Sequence, residues 1–146
     1  MKKLEFNIDI NANAQKVWNT MLGADTYKQW VSVSWPGSKF EGKWEQGESL
    51  RFEGEQGGGT KAVLDECRPY EYLIARHVAI INGDGSEDTT SEVAKGWIGT
   101  TESYTFTEQN GKTALRVELN TAPEWAGMFE EGWPNALQEL KRICES

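Results

Sequence analysis

Histidine occurs once in this 146-residue chain, at position 77, and cysteine only at positions 67 and 144. A single imidazole excludes a multi-histidine metal centre. With no nucleophile elbow beside it, it also leaves no Ser–His–acid arrangement to read. Cys67 has no histidine close in sequence. Cys144 falls in the last turns of a helix, where the dipole disfavours a thiolate. Both are read as packing residues, reduced in a cytoplasmic chain, although their spacing leaves a disulfide between them open. Basic charge is scarce as well: 15 Lys and Arg stand against 23 acids, for a net charge of -8. No basic patch offers itself to nucleic acid, and the same sign opposes an anionic membrane. No run approaches the ~18 apolar residues of a membrane-spanning helix. The opening "MKKLEF" turns directly into an alternating pattern rather than a secretory signal.

What is present is globular: 38% hydrophobic and 26% charged residues. The length suits one domain, 1–146, burying about two-thirds of the surface of its unfolded chain. "KKLEFNIDI" alternates, with Leu4, Phe6, Ile8 and Ile10 on one face of a strand. Asn13 is placed to cap a helix over Ala14 to Leu22, whose inner side carries Val17, Trp18 and Met21. A short second helix covers Asp25 to Trp30, with Tyr27 and Trp30 inward.

Strands follow. "SKFEGKWEQGESLRFEG" holds two, joined near Gln46–Gly47, with Leu50 and Phe52 sharing a face. The glycines at 57–59 read as a hairpin tip. "YEYLIARHVAII" is the longest apolar strand, and 82–92, "NGDGSEDTTSE", is a loop or frayed edge. "TTESYTF" and "TALRVEL" flank Asn110–Gly111, a strong hairpin signal. In the last segment, Thr121 and Glu124 have capping-box spacing. Trp125, Phe129, Trp133, Ala136, Leu137, Leu140 and Cys144 then recur at helical intervals. Pro134 interrupts this stripe, so the helix either bends there or a separate one begins. The order is strand, two helices, about six strands, long helix. It excludes a doubly wound nucleotide fold and implies α+β: a curved antiparallel sheet gripping one long helix. The stripe reads either as ordinary core or, in its aromatic first half, as the lining of a cavity.

Three stretches carry a family resemblance. "INANAQKVWNTMLGADTYKQW" at 10–30, with Trp18 and Trp30 as anchors, is similar to the opening of START-like, Bet v 1-like (SRPBCC) proteins in the branch of Hsp90 ATPase activator homologues. "ESYTFTEQNGKTALRVEL" at 102–119 resembles that branch's paired strands, and "MFEEGWPNALQELKRICE" at 128–145 its closing helix. The resemblance spans nearly the whole chain. It implies a helix-grip fold with a hydrophobic cavity between sheet and long helix. Relatives bind lipids, sterols, polyketides or plant metabolites, and some are enzymes. The Hsp90-binding domain that accompanies the branch's namesake lies outside these residues, so an Hsp90 interaction is not expected from this chain alone. Fold does not fix chemistry.

In "LIARHVAII" both faces of the strand are apolar, so either Arg76 or His77 faces the cavity. His77 fits a satisfied structural histidine or an acid–base group. Glu102 shares parity with Tyr104 and Phe106. If those rings face the core, Glu102 enters it and must be paired, with Arg76 the candidate partner, or become neutral. "DGSED" at 84–88 is too short for an EF-hand and lacks its helices, and the 57–59 glycines lack the Lys–Ser/Thr of a phosphate loop. No metal or cofactor is expected.

The candidate lining is therefore Trp18, Trp30, Phe52, Arg76, His77, Glu102, Tyr104, Trp125, Phe129 and Trp133. Seven tryptophans exceed what a minimal core requires. The leading reading is binding of a small hydrophobic ligand by a monomer or homodimer. The alternatives are an enzyme using Glu102 or His77 on an apolar substrate, and a protein-interaction module related to chaperone co-factors.

Overall fold

The computed structural model describes every residue except Gln56. Strand β1 (Lys2–Ile10) leads into helices α1 (Ala14–Leu22) and α2 (Ala24–Val31). Strands β2 (Lys39–Gly42), β3 (Ser49–Glu53), β4 (Gly59–Arg68) and β5 (Tyr72–Ile81) follow. The two-residue β6 (Glu87–Asp88) and helix α3 (Glu92–Trp97) precede β7 (Thr101–Gln109) and β8 (Lys112–Thr121), and α4 (Pro123–Glu145) closes the chain. One antiparallel sheet runs β1-β8-β7-β5-β4-β3-β2, with β6 paired to β5. This is the α+β helix-grip arrangement. The first strand pairs with the last over its whole length, from Lys2↔Thr121 to Ile10↔Thr113.

Local chemistry accounts for the element ends. The Asn13 side chain accepts from the Lys16 N–H at 2.8 Å and starts α1. Asn110 and Gly111 both take positive φ in the two-residue turn between β7 and β8, as a type I′ hairpin requires. The Thr121–Glu124 capping box does not form. Thr121 is the fully buried last residue of β8, Ala122 is the N-cap without a side-chain bond, and Pro123 occupies the first turn. Proline's preset φ serves as the start signal there.

The segment read as a loop over 82–92 contains β6, and a third helix follows it. Ser91 caps α3 by accepting from the Ala94 N–H at 3.1 Å. Periodicity passed over a helix of six residues because it is shorter than two turns. Residues 43–48 connect β2 to β3, and the tip between β3 and β4 uses Gly57 at φ +86°.

The sheet is bent by irregularities between β4 and β5, where the register shifts at Lys61/Ala62 and Leu64/Glu66. Each shift adds a residue to one strand and increases local twist. The second leaves Asp65 beside Arg76 on the outer face.

Helix α4 is continuous through Pro134, so no separate helix begins there. Pro134 has no N–H to give the Glu130 carbonyl, and its ring is exposed. Two residues earlier, half-buried Ser34 donates to the Gly132 carbonyl at 2.6 Å, and a Cβ on Gly132 would lie 2.6 Å from the Trp35 ring. The glycine lets the 32–38 segment close on the helix. No helix is long and apolar enough to cross a membrane among the described residues, and both cysteines are free and buried.

Candidate functional site

The two ends of the space between sheet and α4 are filled differently. Toward the C-terminus of α4, Leu137, Leu140 and Cys144 meet Val17 and Met21 of α1 and Leu115 and Val117 of β8, all buried in one cluster. Toward its N-terminus the helix and sheet border a cavity of about 570 Å³ that is open to solvent on one side. That volume falls in the range of small-molecule sites. Its roof is Phe129 and Trp133 of α4, its floor is the inner face of β5, β7 and β8, and α2, the 32–38 segment and α3 supply the sides.

Trp133 organises the wall. Its ring lies 5.9 Å from Trp30, 5.7 Å from Trp35, 6.0 Å from Tyr104 and 6.3 Å from Phe6. Tyr27 extends this group, 5.4 Å from Trp30. Trp30 is fixed by its indole N–H, which donates to the Met21 carbonyl at 3.0 Å. At the other side Trp97 of α3 sits 4.9 Å from His77, 5.0 Å from Trp125 and 6.2 Å from Phe129. The His77 backbone holds the segment after α3 through bonds with Thr100 and Gly99, both 2.9 Å.

Of the ten expected lining residues, Trp30, Phe52, His77, Glu102, Tyr104, Phe129 and Trp133 border the cavity. Three do not. Trp18 packs in the filled end, 5.2 Å from Phe106. Trp125 stands behind Trp97, outside the wall. Arg76 points to the outer face and pairs with Asp65 through two bonds of 2.9 and 3.1 Å. The alternation along β5 is thereby settled: Leu73, Ala75, His77, Ala79 and Ile81 are buried on the inner face. The expected Arg76–Glu102 ion pair does not exist. Tyr27, Trp35 and Trp97 border the cavity without having been candidates. The Ser91 cap followed by Ala94 and Trp97 at helical spacing was the available signal for Trp97. Trp35 lies in an aperiodic segment and offered none.

The polar groups of the wall are few and poorly partnered. Glu102 has no ion-pair partner among the described residues. Burial pushes its carboxyl up to about 7, with the Tyr104 hydroxyl opposing that rise. Desolvation wins because one hydrogen bond replaces only part of a carboxylate's hydration. Burial and the charge of Glu102 raise the Tyr27 hydroxyl, and the same causes raise Tyr104 still further from its ordinary range. Burial pushes His77 down to about 4, so its imidazole is neutral at neutral pH. The Nδ1 of His77 and the indole nitrogens of Trp97 and Trp133 have no hydrogen-bonding partner among the described residues. No group of three or more His, Cys, Asp or Glu side chains comes together as a metal site among those residues.

Comparison with known proteins agrees with this architecture. The sequence model of the family described as Activator of Hsp90 ATPase homolog 1-like protein matches residues 11–145. No curated protein sequence matches the chain significantly. Among solved structures, the fold is similar to protein MLL2253 from Mesorhizobium loti, with a TM-score of 0.76 at 15% identity, covering 99% of this chain and 97% of that one. It is also similar to an Aha1 from Colwellia psychrerythraea, described as a dimer, with a TM-score of 0.72 at 20% identity, covering 99% and 97%. A third is DynU16, described as belonging to the dynemicin biosynthetic locus, with a TM-score of 0.73 at 17% identity. The similarity covers all of this chain and 48% of DynU16. At such identities these structures share the fold.

Proposed function

The chain belongs to the family of Activator of Hsp90 ATPase homolog 1-like proteins, and from that premise we propose that it binds a small, mainly apolar molecule between sheet and α4. The observation that carries this reading is the cavity of about 570 Å³, walled by Tyr27, Trp30, Phe52, Phe129 and Trp133. Aromatic walls of this kind give a ligand large contact areas at little side-chain entropy cost. The test is titration with N-phenyl-1-naphthylamine, a neutral probe whose emission rises in apolar surroundings. Saturable binding with quenching of tryptophan emission is expected, and Leu119→Trp, which projects an indole into the cavity, should abolish it in the folded protein. Absence of saturable binding by the parent protein would overturn the reading.

A second reading is favoured by one observation, a carboxyl group, Glu102, that lines the cavity with Tyr104 and has no ion-pair partner among the described residues, its value pushed up to about 7 by burial. A group with that value exchanges protons readily at neutral pH and suits general acid–base catalysis on a bound molecule. Under this reading Glu102→Gln abolishes conversion of a substrate that still binds. Conversion at the parental rate would exclude the role.

A further inference from the structure

Glu102 presents an unusual balance of charge. The charged side chains at the cavity wall are Lys39, Glu53 and Glu102. Lys39 is exposed on β2, and Glu53 lies 3.7 Å from Arg51. Only Glu102 lacks a protein cation among the described residues. Around it, Tyr27, Trp30, Trp133 and Tyr104 form a continuous aromatic chain, with successive ring separations of 5.4, 5.9 and 6.0 Å. Both tyrosines border the same cavity as Glu102, and its charge raises both hydroxyls.

We infer that the cavity selects an apolar molecule carrying one basic amine, its ammonium seated on the Glu102 carboxylate within the chain of aromatic rings. This rests on the cavity-binding reading above and adds the ligand's chemical class. An ammonium supplies the countercharge that the protein withholds, and charge-assisted hydrogen bonds in a low-dielectric site are the strong ones. The faces of Trp and Tyr rings attract the same cation through their quadrupoles. A ligand carboxylate would instead meet Glu102 as a like charge, with no buried cation to offset it. An alcohol gains one hydrogen bond and no charge complement. The net charge of -8 raises the local concentration of cations and lowers that of anions.

The groups facing Glu102 make the pH behaviour simple. Tyr27 from α2 and Tyr104 from its own strand are held neutral, and His77 from β5 is neutral above its value of about 4. From α4 the wall presents Met128, Phe129 and Trp133, and from β8 Leu119 and Asn120, none of which titrates. A primary amine stays protonated far into the alkaline range. The wall's other charged groups are Lys39 of β2, which is exposed, and Glu53 of β3, which has Arg51 at 3.7 Å. Of the groups within the aromatic rings, Glu102 is the one that acidification toward about pH 5.5 neutralises, removing the charge that holds the ammonium.

The test is calorimetric titration with three matched probes: 2-(1-naphthyl)ethylamine, 2-(1-naphthyl)ethanol and 1-naphthylacetate. Near pH 8 the amine should bind about tenfold more tightly than the alcohol, the increment of one charge-assisted contact, and the acid most weakly. Lowering the pH to about 5.5 should erase most of that advantage in the unmodified protein. In Glu102→Gln the amine-to-alcohol ratio should fall to about one. An alcohol that binds as tightly as the amine near pH 8, or an amine advantage that survives both acidification and Glu102→Gln, overturns the inference while leaving the cavity reading intact. Failure of all three probes to bind the folded protein overturns both.

Discussion

Between Ala136 and Cys144, α4 lies directly on the sheet, with Ala136, Leu137, Leu140 and Cys144 all buried. Between Met128 and Trp133 the same helix stands over a cavity. In the filled end α1 brings Val17, Trp18 and Met21 into the gap, and Trp18 closes on Phe106. In the hollow end the covering parts are α2, the 32–38 segment and the six-residue α3, which reach over the gap with rings at its edges. Aromatic side chains there touch one another around a space rather than across it. The polar side chains divide in the same way: Glu102 and His77 border the cavity, while Thr113, buried in the filled end, is satisfied by donating to the Ala12 carbonyl at 2.8 Å. One helix thus serves as core along one half and as a wall along the other.

Substitutions in the two halves separate these roles. Leu140→Ala in the filled end should have the largest effect, lowering stability by about 3 kcal/mol in urea titration, because it leaves a void among fully buried neighbours. A loss below about 1 kcal/mol would show that the filled end is loosely packed.

Glu102→Gln comes next and is read from stability against pH. Below its ordinary value of 4.5 the parental carboxyl is protonated in both folded and unfolded states and exerts no pull. Between 4.5 and about 7 the unfolded carboxyl ionises while the folded one keeps its proton, so stability falls as pH rises across that window, by up to about 3 kcal/mol, and levels off above it. His77 has the opposite sign: its folded value lies below the ordinary 6.5, so stability is lost as pH falls from 6.5 toward about 4. The two slopes oppose each other between 4.5 and 6.5, and above 6.5 only Glu102 acts. The Gln variant should therefore lose the remaining decline above about pH 6.5, about 1 kcal/mol, and show between 4.5 and 6.5 the rise of stability with pH from His77 that Glu102 cancels in the parent. A decline that persists above pH 6.5 would assign it elsewhere.

Gly132→Ala probes the junction of the halves. The new methyl meets the Trp35 ring at 2.6 Å. Overpacking of about 1–3 kcal/mol should outweigh the ~1 kcal/mol gained in helix propensity, with a change in tryptophan emission as Trp35 shifts. Unchanged stability and emission would mean that the 32–38 segment moves freely. Phe129→Ala should have the smallest effect, about 1 kcal/mol, because it enlarges an existing space instead of opening a new one. A loss as large as that of Leu140→Ala would dissolve the distinction between the two ends.

Much of this architecture was legible in the chain. Alternation in "KKLEFNIDI", the Asn13 cap and the Asn110–Gly111 turn each led to the observed element, because period and turn chemistry are local properties. The inward turn of Glu102 followed from its parity with Tyr104 and Phe106. Other readings failed where a distant partner intervened. Thr121 was consumed by the end of β8, so it could not cap α4. Arg76 found Asp65 at a register shift that no alternation pattern reveals, which left Glu102 alone. Trp18 and Trp30 looked equivalent as family anchors, yet only Trp30 reaches the cavity.

By itself the sequence determined the order of the longer elements, without β6 and α3, their inner faces and the aromatic enrichment of the first half of α4, since these depend on residues within a few positions of one another. The tertiary structure alone decided that this half is hollow, that Trp35 and Trp97 belong to its wall, and that Glu102 faces it without a cation among the described residues. Those outcomes depend on how far a bent sheet departs from a helix, and on which side chains from distant parts of the chain, such as Phe6 and Trp30 against Trp133 or Trp97 against Phe129, arrive to fill the difference.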